Sequence, residues 1–301
     1  MKNQLKTLAL FGALTALVVG FGGLIAPGYL YLFAALSLAM NLGAYFFSDR
    51  VVLRMHGATE VPREHSPELH AMVEELAQKA QIPKPRVFMI AEDAPNAFAT
   101  GRNPEHGVVA VTEGIVRLLD QRELRGVIAH ELAHIKNRDI LIASVAAAVA
   151  TLISYTAQAL TLGSLLGSSS EDEEGEGASP FAGILVAIVA PIAATVVQLG
   201  ISRSREYLAD ETGARISGDP EALARALSKL ERAAGVTPPV QTAPATASLF
   251  IVNPFSAVER VSRLFSTHPD TAERVRRLLT LAGSVRRPGS IPARPSLQRQ
   301  S

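Results

Sequence analysis

The chain has 301 residues, 48% of them hydrophobic, a formal net charge of +1 at pH 7 and no cysteine. The near-neutral charge argues against nucleic acid as the main partner, whereas the mean hydropathy of +0.21 points toward a membrane. Without cysteine there can be no disulfide bond and no thiol nucleophile, so any metal site must use histidine and carboxylate ligands.

Residues 1–48 predict a transmembrane hairpin. No charged residue occurs over positions 7–48, which is long enough for two helices of about 20 residues each. Pro27-Gly28 lies near the middle and favours a turn, which places the spans at about 8–26 and 29–47. The alternative for the first span is a cleaved signal peptide, but the second apolar segment follows at once and no clear cleavage site separates the two.

Residues 49–139 predict a first extramembrane part that contains helices and strands. Ser66-Pro67 is typical of a helix start, with serine as the N-cap and proline in the first turn. Short buried strands are expected over residues 86–90 and 107–112. The segment 95–101 between them is expected to be a loop or an irregular edge strand.

The helix that follows carries an H-E-x-x-H sequence. Asp120 and Glu123 have the spacing of a capping box at its start. His130 and His134 are four residues apart and share one helix face, so both imidazoles can bind one metal ion. Glu131 is adjacent to the first histidine and can reach a water on that metal. Two imidazoles and one carboxylate fit zinc-activated hydrolysis. Because so short a motif can occur by chance, its context decides whether it is a metal site.

Residues 140–202 predict a second transmembrane hairpin. Uncharged runs cover residues 140–170 and 177–202, and their many small side chains suit close helix packing in lipid. The acidic segment between them, within residues 168–180, is expected to be a flexible, solvated loop. The alternative to this hairpin is a pair of buried helices in a soluble core, because alanine-rich runs are only moderately hydrophobic.

Residues 203–284 predict a second extramembrane part with a candidate third metal ligand. A catalytic zinc usually has three protein ligands and one open position for water, so two histidines leave it one ligand short. Glu206 can supply the missing ligand. Asp210 lies one helical turn further on and can accept a hydrogen bond from the second ring nitrogen of a ligand histidine. The alternative is a solvated helix face, because arginines lie close to these carboxylates.

Two more helices are expected in this part of the chain. One starts at Asp219-Pro220, and the other follows Thr267-His268-Pro269 and ends near Gly283. Residues 285–301 are rich in proline, arginine, serine and glutamine, so a disordered tail is expected. Four other histidines have no partner at metal-ligand spacing and are expected at the surface: His56, His65, His70 and His106.

Basic residues lie beside the outer ends of both predicted hairpins and are absent from the Pro27-Gly28 turn and the acidic loop. These flanking residues are Lys2, Lys6, Arg50, Arg54, Lys136, Arg138, Arg203 and Arg205. The positive-inside rule makes the outer ends cytoplasmic. Both termini and the H-E-x-x-H helix are therefore expected on the cytoplasmic side of the membrane.

Three segments, in this order, resemble the HtpX family of membrane zinc endopeptidases. They are the HELAH helix at 130–134, Ser202–Asp210 and Phe265–Pro269, and the resemblance extends from the first span to about residue 283. It implies an α+β, mainly helical fold: a gluzincin-like integral membrane metallopeptidase with about four transmembrane helices and a small sheet beside the zinc helix. It also implies a place in the bacterial cytoplasmic (inner) membrane, with the active site facing the cytoplasm.

The same resemblance implies a site with one Zn²⁺ per chain. His130, His134 and Glu206 would bind the zinc, and Glu131 would act as the base. His268 is the candidate donor of a hydrogen bond to the oxyanion, on the strength of the family's later His-Pro motif. The alternative for His268 is an N-cap-like position before the following proline.

The expected function is hydrolysis of peptide bonds in misfolded or damaged membrane proteins, as part of quality control and the stress response. The partners would be unfolded or membrane polypeptides, the lipid bilayer and other membrane proteases, and the Asn96-Ala97 region would offer backbone groups to an extended substrate. One alternative is a specific processing peptidase of the prenyl-protein (CAAX) type, which usually has more spans. The other is a non-enzymatic membrane scaffold with a structural zinc, which would need a fourth protein ligand.

Overall fold

The computed structural model describes residues 27–141, 143–145, 203–234, 251 and 269–285, with scattered positions between 5 and 23. The helices are α1 Leu30–Met55, α2 Pro67–Ala80, α3 Glu113–Leu118, α4 Gln121–Lys136, α5 Arg203–Ser217, α6 Pro220–Ala234 and α7 Thr271–Val285. The strands are β1 Thr59–Glu60, β2 Arg86–Ile90, β3 Ala97–Thr100 and β4 Val108–Thr112. The described residues are thus mainly helical with one small sheet, as the sequence predicts.

Helix α1 is 26 residues long and, among the described residues, is the one helix that is long and apolar enough to cross a bilayer. A short 3₁₀ turn over Pro27–Tyr29 precedes it, where the sequence predicts the hairpin turn. The helix continues beyond the predicted end at residue 47, because Val52 and Leu53 in its last turns are buried against the sheet. Helix α1 therefore continues without a break into the part of the chain that contains the sheet.

Polar contacts connect α1 to the apolar run that precedes it. The amide of Asn41 donates to the Thr15 hydroxyl at 2.8 Å and to the carbonyl of Phe11 at 3.3 Å, and the Ser37 hydroxyl donates to Thr15 at 3.0 Å. The later residues of α1 contact the earlier residues of the first run, which is the pattern of antiparallel neighbours. These contacts agree with a hairpin, although about half of the predicted span 8–26 lies outside the described residues.

The sheet has the strand order β1-β2-β4-β3, with β2 and β4 parallel and the other two pairs antiparallel. The strands predicted over residues 86–90 and 107–112 are β2 and β4. The segment 95–101 contains β3, which forms an edge of the described sheet, as the sequence allowed.

The two faces of the sheet bury different sets of side chains because successive strand residues point to opposite sides. Val109 and Val111 of β4 face the main core with α2 and α4, whereas Val108 and Ala110 face the end of α1. The sheet thus lies between the end of α1 and the helix that carries the H-E-x-x-H sequence.

His56 corrects one prediction from the sequence. It was expected at the surface, but only 8% of it is exposed, and its ring packs on Phe98 of β3 with centroids 5.3 Å apart. It is buried because α1 continues to the sheet instead of ending at residue 47, where the sequence predicts its end. His70 is half-buried with Nε2 2.8 Å from the carbonyl of Val61. His65 and His106 are exposed, as predicted.

Helix α4 begins with the predicted capping box. Asp120 accepts from the Glu123 N–H at 2.9 Å, and the Glu123 carboxylate accepts from the Asp120 N–H at 3.1 Å. Lys229 of α6 donates to the same carboxylate at 2.6 Å, which joins the start of α4 to α6. Helix α5 packs along α4, and α7 packs on α5 and α6. The four helices therefore form one core with the sheet.

Several predicted features lie outside the described residues: most of the runs 140–170 and 177–202, the acidic loop 168–180, His268 and residues 286–301 of the tail. The beginning of the third run is described. There, Ser144 and Thr100 are both buried, and their hydroxyls are 2.6 Å apart. The chain that leaves α4 thus passes directly beside the end of β3.

Candidate metal centre

The two histidines of the H-E-x-x-H sequence converge on the same point. Their Nε2 atoms are 3.1 Å apart, and the rings are nearly perpendicular. They meet because residues four apart on α4 share one face. His130 is fully buried by the neighbouring helices, whereas His134 keeps some exposure.

Helix α5 brings Glu206 to the same point. One carboxylate oxygen lies 3.7 Å from Nε2 of His130, and the other lies 3.7 Å from Nε2 of His134. A ligand atom from each of the three residues lies within 4.8 Å of the others. Tetrahedral zinc, with bonds of about 2.0–2.2 Å, separates its ligand atoms by about 3.4 Å. The three residues therefore fit a single zinc ion.

Glycine allows α5 to approach α4 this closely. Gly213 lies two turns after Glu206 on α5, and a Cβ placed there would be 2.8 Å from both N and Cα of His130. Real Cβ atoms essentially never come so near to backbone atoms. Because Gly213 has no Cβ, α5 can lie close enough to α4 for Glu206 to reach the two imidazoles.

Asp210 lies where the sequence places it, beside a candidate ligand. Its Oδ1 is 3.0 Å from Nδ1 of His130, within hydrogen-bonding distance, and both side chains are buried. The Nδ1 atom faces this carboxylate, while Nε2 faces the other ligands. A carboxylate at this distance can favour the tautomer that carries its proton on Nδ1.

His134 has a carboxylate partner of its own that the sequence reasoning missed. Oδ2 of Asp139 lies 3.1 Å from Nδ1 of His134. Arg138 adopts a left-handed φ of 57° just after α4, and the Asp139 N–H then donates to the His134 carbonyl at 3.2 Å. The signal in the sequence was an aspartate five residues after the second histidine. Whether its carboxylate reaches the imidazole depends on where α4 ends.

Arg274 is the second residue that the sequence reasoning missed. It is 1% exposed, and it donates from Nε and Nη2 to the two oxygens of Asp210, each at 2.8 Å. Its position on α7 repeats with those of Leu278 and Ala282, which are also buried. An arginine on the apolar face of an amphipathic helix was therefore the available signal.

Burial and nearby charges shift the pKa values of the site residues in opposite directions. Burial raises the pKa of Glu131 to about 8, although the carboxylate also interacts with the backbone N–H of Ala99 in β3. Burial alone would lower the pKa of His134, but the carboxylates of Asp139 and Glu206 raise it to about 10. Burial lowers the pKa of His130. The Glu131 carboxyl is therefore harder to ionise than a free one, and the His134 imidazole holds its second proton more tightly.

Comparisons with known proteins agree with this geometry. Residues 63–282 match the model of peptidase family M48. The protein named protease HtpX homolog from Syntrophobacter fumaroxidans is 49% identical over 285 residues, covering 93% of this chain and 100% of that one. A protein of the same name from Burkholderia cenocepacia is 50% identical over 292 residues, covering 95% of this chain and 99% of that one.

A solved structure was also matched. The crystal structure of S. mikatae Ste24p aligns with 90% of this chain and 67% of its own, at 20% identity and a TM-score of 0.48.

The family match and the relatives define the class of the protein, a metalloendopeptidase of the membrane. The chain belongs to peptidase family M48 and, within it, to the HtpX family. The resemblance predicted from the sequence is confirmed.

Proposed function

We propose that the chain is a zinc-dependent endopeptidase that cleaves misfolded or damaged membrane proteins at the cytoplasmic face of a bacterial inner membrane. The observation that carries this proposal is the convergence of His130, His134 and Glu206, two of which interact electrostatically with the buried Glu131. In this proposal the three convergent residues hold one zinc ion. Glu131 lies outside that set and is free to handle protons.

Zinc, when bound, supplies a Lewis acid that polarises the scissile carbonyl and acidifies the attacking water. Glu131 accepts the proton of that water and then delivers it to the leaving amine. His268 remains the candidate donor to the oxyanion, as implied by the family motif.

The two aspartates beside the imidazoles orient the two rings. Asp210 faces Nδ1 of His130, and Asp139 faces Nδ1 of His134. Each imidazole then carries its proton on Nδ1 and presents the lone pair of Nε2 to the metal. Both rings are thus oriented with Nε2 toward the position of the metal.

The edge of β3 offers a place for the substrate. Residues of an antiparallel edge strand alternately point their backbone groups to the partner strand and away from it. The Ala99 N–H interacts with Glu131, so the outward edge of β3 borders the base. An extended polypeptide that pairs with this edge near Asn96-Ala97 would pass the metal site. Unfolded chains can adopt that shape, which favours misfolded proteins as substrates.

The test uses wild-type protein purified in detergent. We expect about one zinc per chain, cleavage of an unfolded probe such as reduced casein at several sites, and loss of cleavage with a chelator. Readdition of zinc should restore cleavage. Protein that binds zinc without cleaving any polypeptide would refute the peptidase proposal. Cleavage restricted to a prenylated C-terminal peptide would instead support the CAAX-type alternative, which the relatives do not favour.

Four transmembrane spans with cytoplasmic ends remain part of the proposal, supported by the basic flanks and by α1. The absence of native cysteine allows single-cysteine labelling. In intact spheroplasts, an impermeant maleimide should label Glu173→Cys in the acidic loop, whereas His65→Cys should react only after permeabilisation. The reverse pattern would contradict the proposed orientation.

A further inference from the structure

Arg274 has three hydrogen bonds that bring together separate parts of the site. Besides its two bonds to Asp210, its Nη1 donates to the carbonyl of Ile251 at 2.8 Å and lies 3.8 Å from a carboxylate oxygen of Glu206. The backbone N–H of Ile251 in turn donates to the side chain of Asn96 at 3.4 Å. Helix α7 is thereby connected to the helix of the third ligand and to the residue that precedes β3.

The same Asp210 oxygen receives two contacts. Oδ1 lies 2.8 Å from Nη2 of Arg274 and 3.0 Å from Nδ1 of His130. The planar guanidinium fixes both carboxylate oxygens at once, which an ammonium group cannot do. The plane of the carboxylate, and with it the direction of the oxygen that faces His130, is therefore set from α7.

We propose that Arg274 is a positioning residue that sets the zinc affinity of the site by holding Asp210 against His130 and Glu206 in place. The proposal rests on the proposed zinc ligands His130, His134 and Glu206. Without Arg274, the buried Asp210 is left without its cationic partner and is free to rotate away from His130. The imidazole then loses the acceptor that keeps its Nε2 directed at the metal.

The experiment measures the zinc affinity of the purified full-length chain by competition with a chromogenic chelator. Loss of a group that orients a ligand typically weakens metal affinity about 10- to 100-fold, and we expect this range for Arg274→Gln. Arg274→Lys should lose less zinc affinity than Arg274→Gln but still bind more weakly than the wild type. Lysine keeps the positive charge but lacks the two N–H groups that bind both carboxylate oxygens at once. At saturating zinc, Arg274→Gln should regain kcat with an unchanged KM.

The matched control is Arg276→Gln on the same helix. Arg276 is 69% exposed at its side chain and pairs only with Glu273 among the described residues. It should keep wild-type zinc affinity. Equal affinities in Arg274→Gln and Arg276→Gln, with both folded, would overturn the proposal.

A second variant separates positioning from a loss of folding. Removal of a buried charge leaves its partner unpaired and is strongly destabilising. Asp210→Asn combined with Arg274→Gln leaves a neutral pair, and it should unfold at a higher temperature than Arg274→Gln alone. If Arg274 acts through Asp210, this double variant should bind zinc no more weakly than Asp210→Asn alone, whereas a further loss of affinity equal to that of Arg274→Gln would show that the two residues act independently and would contradict the proposal. If wild-type protein itself binds no zinc, the proposed function fails instead.

Discussion

Glu131→Gln should bind zinc as the wild type does and lose peptidase activity by about 10²- to 10⁴-fold, the usual contribution of a general base. The loss is expected because glutamine cannot accept the proton of the attacking water. Zinc is retained because Glu131 is not among the three convergent ligand residues. Glutamine also keeps an oxygen that can interact with the Ala99 N–H, so the local structure should survive.

The measurement pairs zinc content with the rate of casein cleavage in the same detergent preparation. Glu105→Gln is the control, because Glu105 is exposed on the turn between β3 and β4. That variant should retain both zinc and activity. An active Glu131→Gln enzyme would remove Glu131 from the mechanism, whereas loss of zinc from it would mean that Glu131 contributes to the metal site.

Spacing on helices was enough to predict the central part of the site. His130 and His134 on α4, and Glu206 and Asp210 on α5, are each four residues apart, and helical geometry alone places each pair on one face. The strands β2 and β4 were predicted for a similar reason, since their apolar runs are short and bounded by turn residues. The spacing of residues along the chain therefore identified which side chains lie together within one helix or strand. The chemistry of zinc then suggested that the two helices meet.

What the sequence did not reveal depends on how elements end and pack. Asp139 reaches His134 only because Arg138 adopts a left-handed conformation that few non-glycine residues occupy. His56 is buried because α1 continues into the sheet, which no composition rule specifies. Arg274 contacts Asp210 from a helix that lies 64 residues later in the chain. Such contacts are tertiary, and a single sequence carries no periodic signal for them.

Gly213→Ala should reduce both stability and activity, although the substitution adds a single methyl group. The new Cβ would meet N and Cα of His130 at 2.8 Å and the carbonyl carbon of Ala129 at 3.0 Å. These are backbone atoms, so α5 must move away from α4 by roughly 1 Å to reach ordinary contact distances of about 3.5–4.0 Å. Overpacking of this kind costs about 1–3 kcal/mol of unfolding free energy. Thermal unfolding of the purified protein measures that loss.

The effect on activity should exceed what destabilisation alone causes, because α5 carries Glu206 with it. A displacement of about 1 Å at a reacting centre can cost about 100-fold in rate, and we expect a loss of this order with weaker zinc binding. Gly283→Ala is the matched control, since it lies on α7 with no described atom within 4 Å of the added Cβ. Alanine in a helix should leave that variant active and up to about 1 kcal/mol more stable. If Gly213→Ala kept wild-type zinc affinity and rate, Glu206 would not need the close approach of α4 and α5.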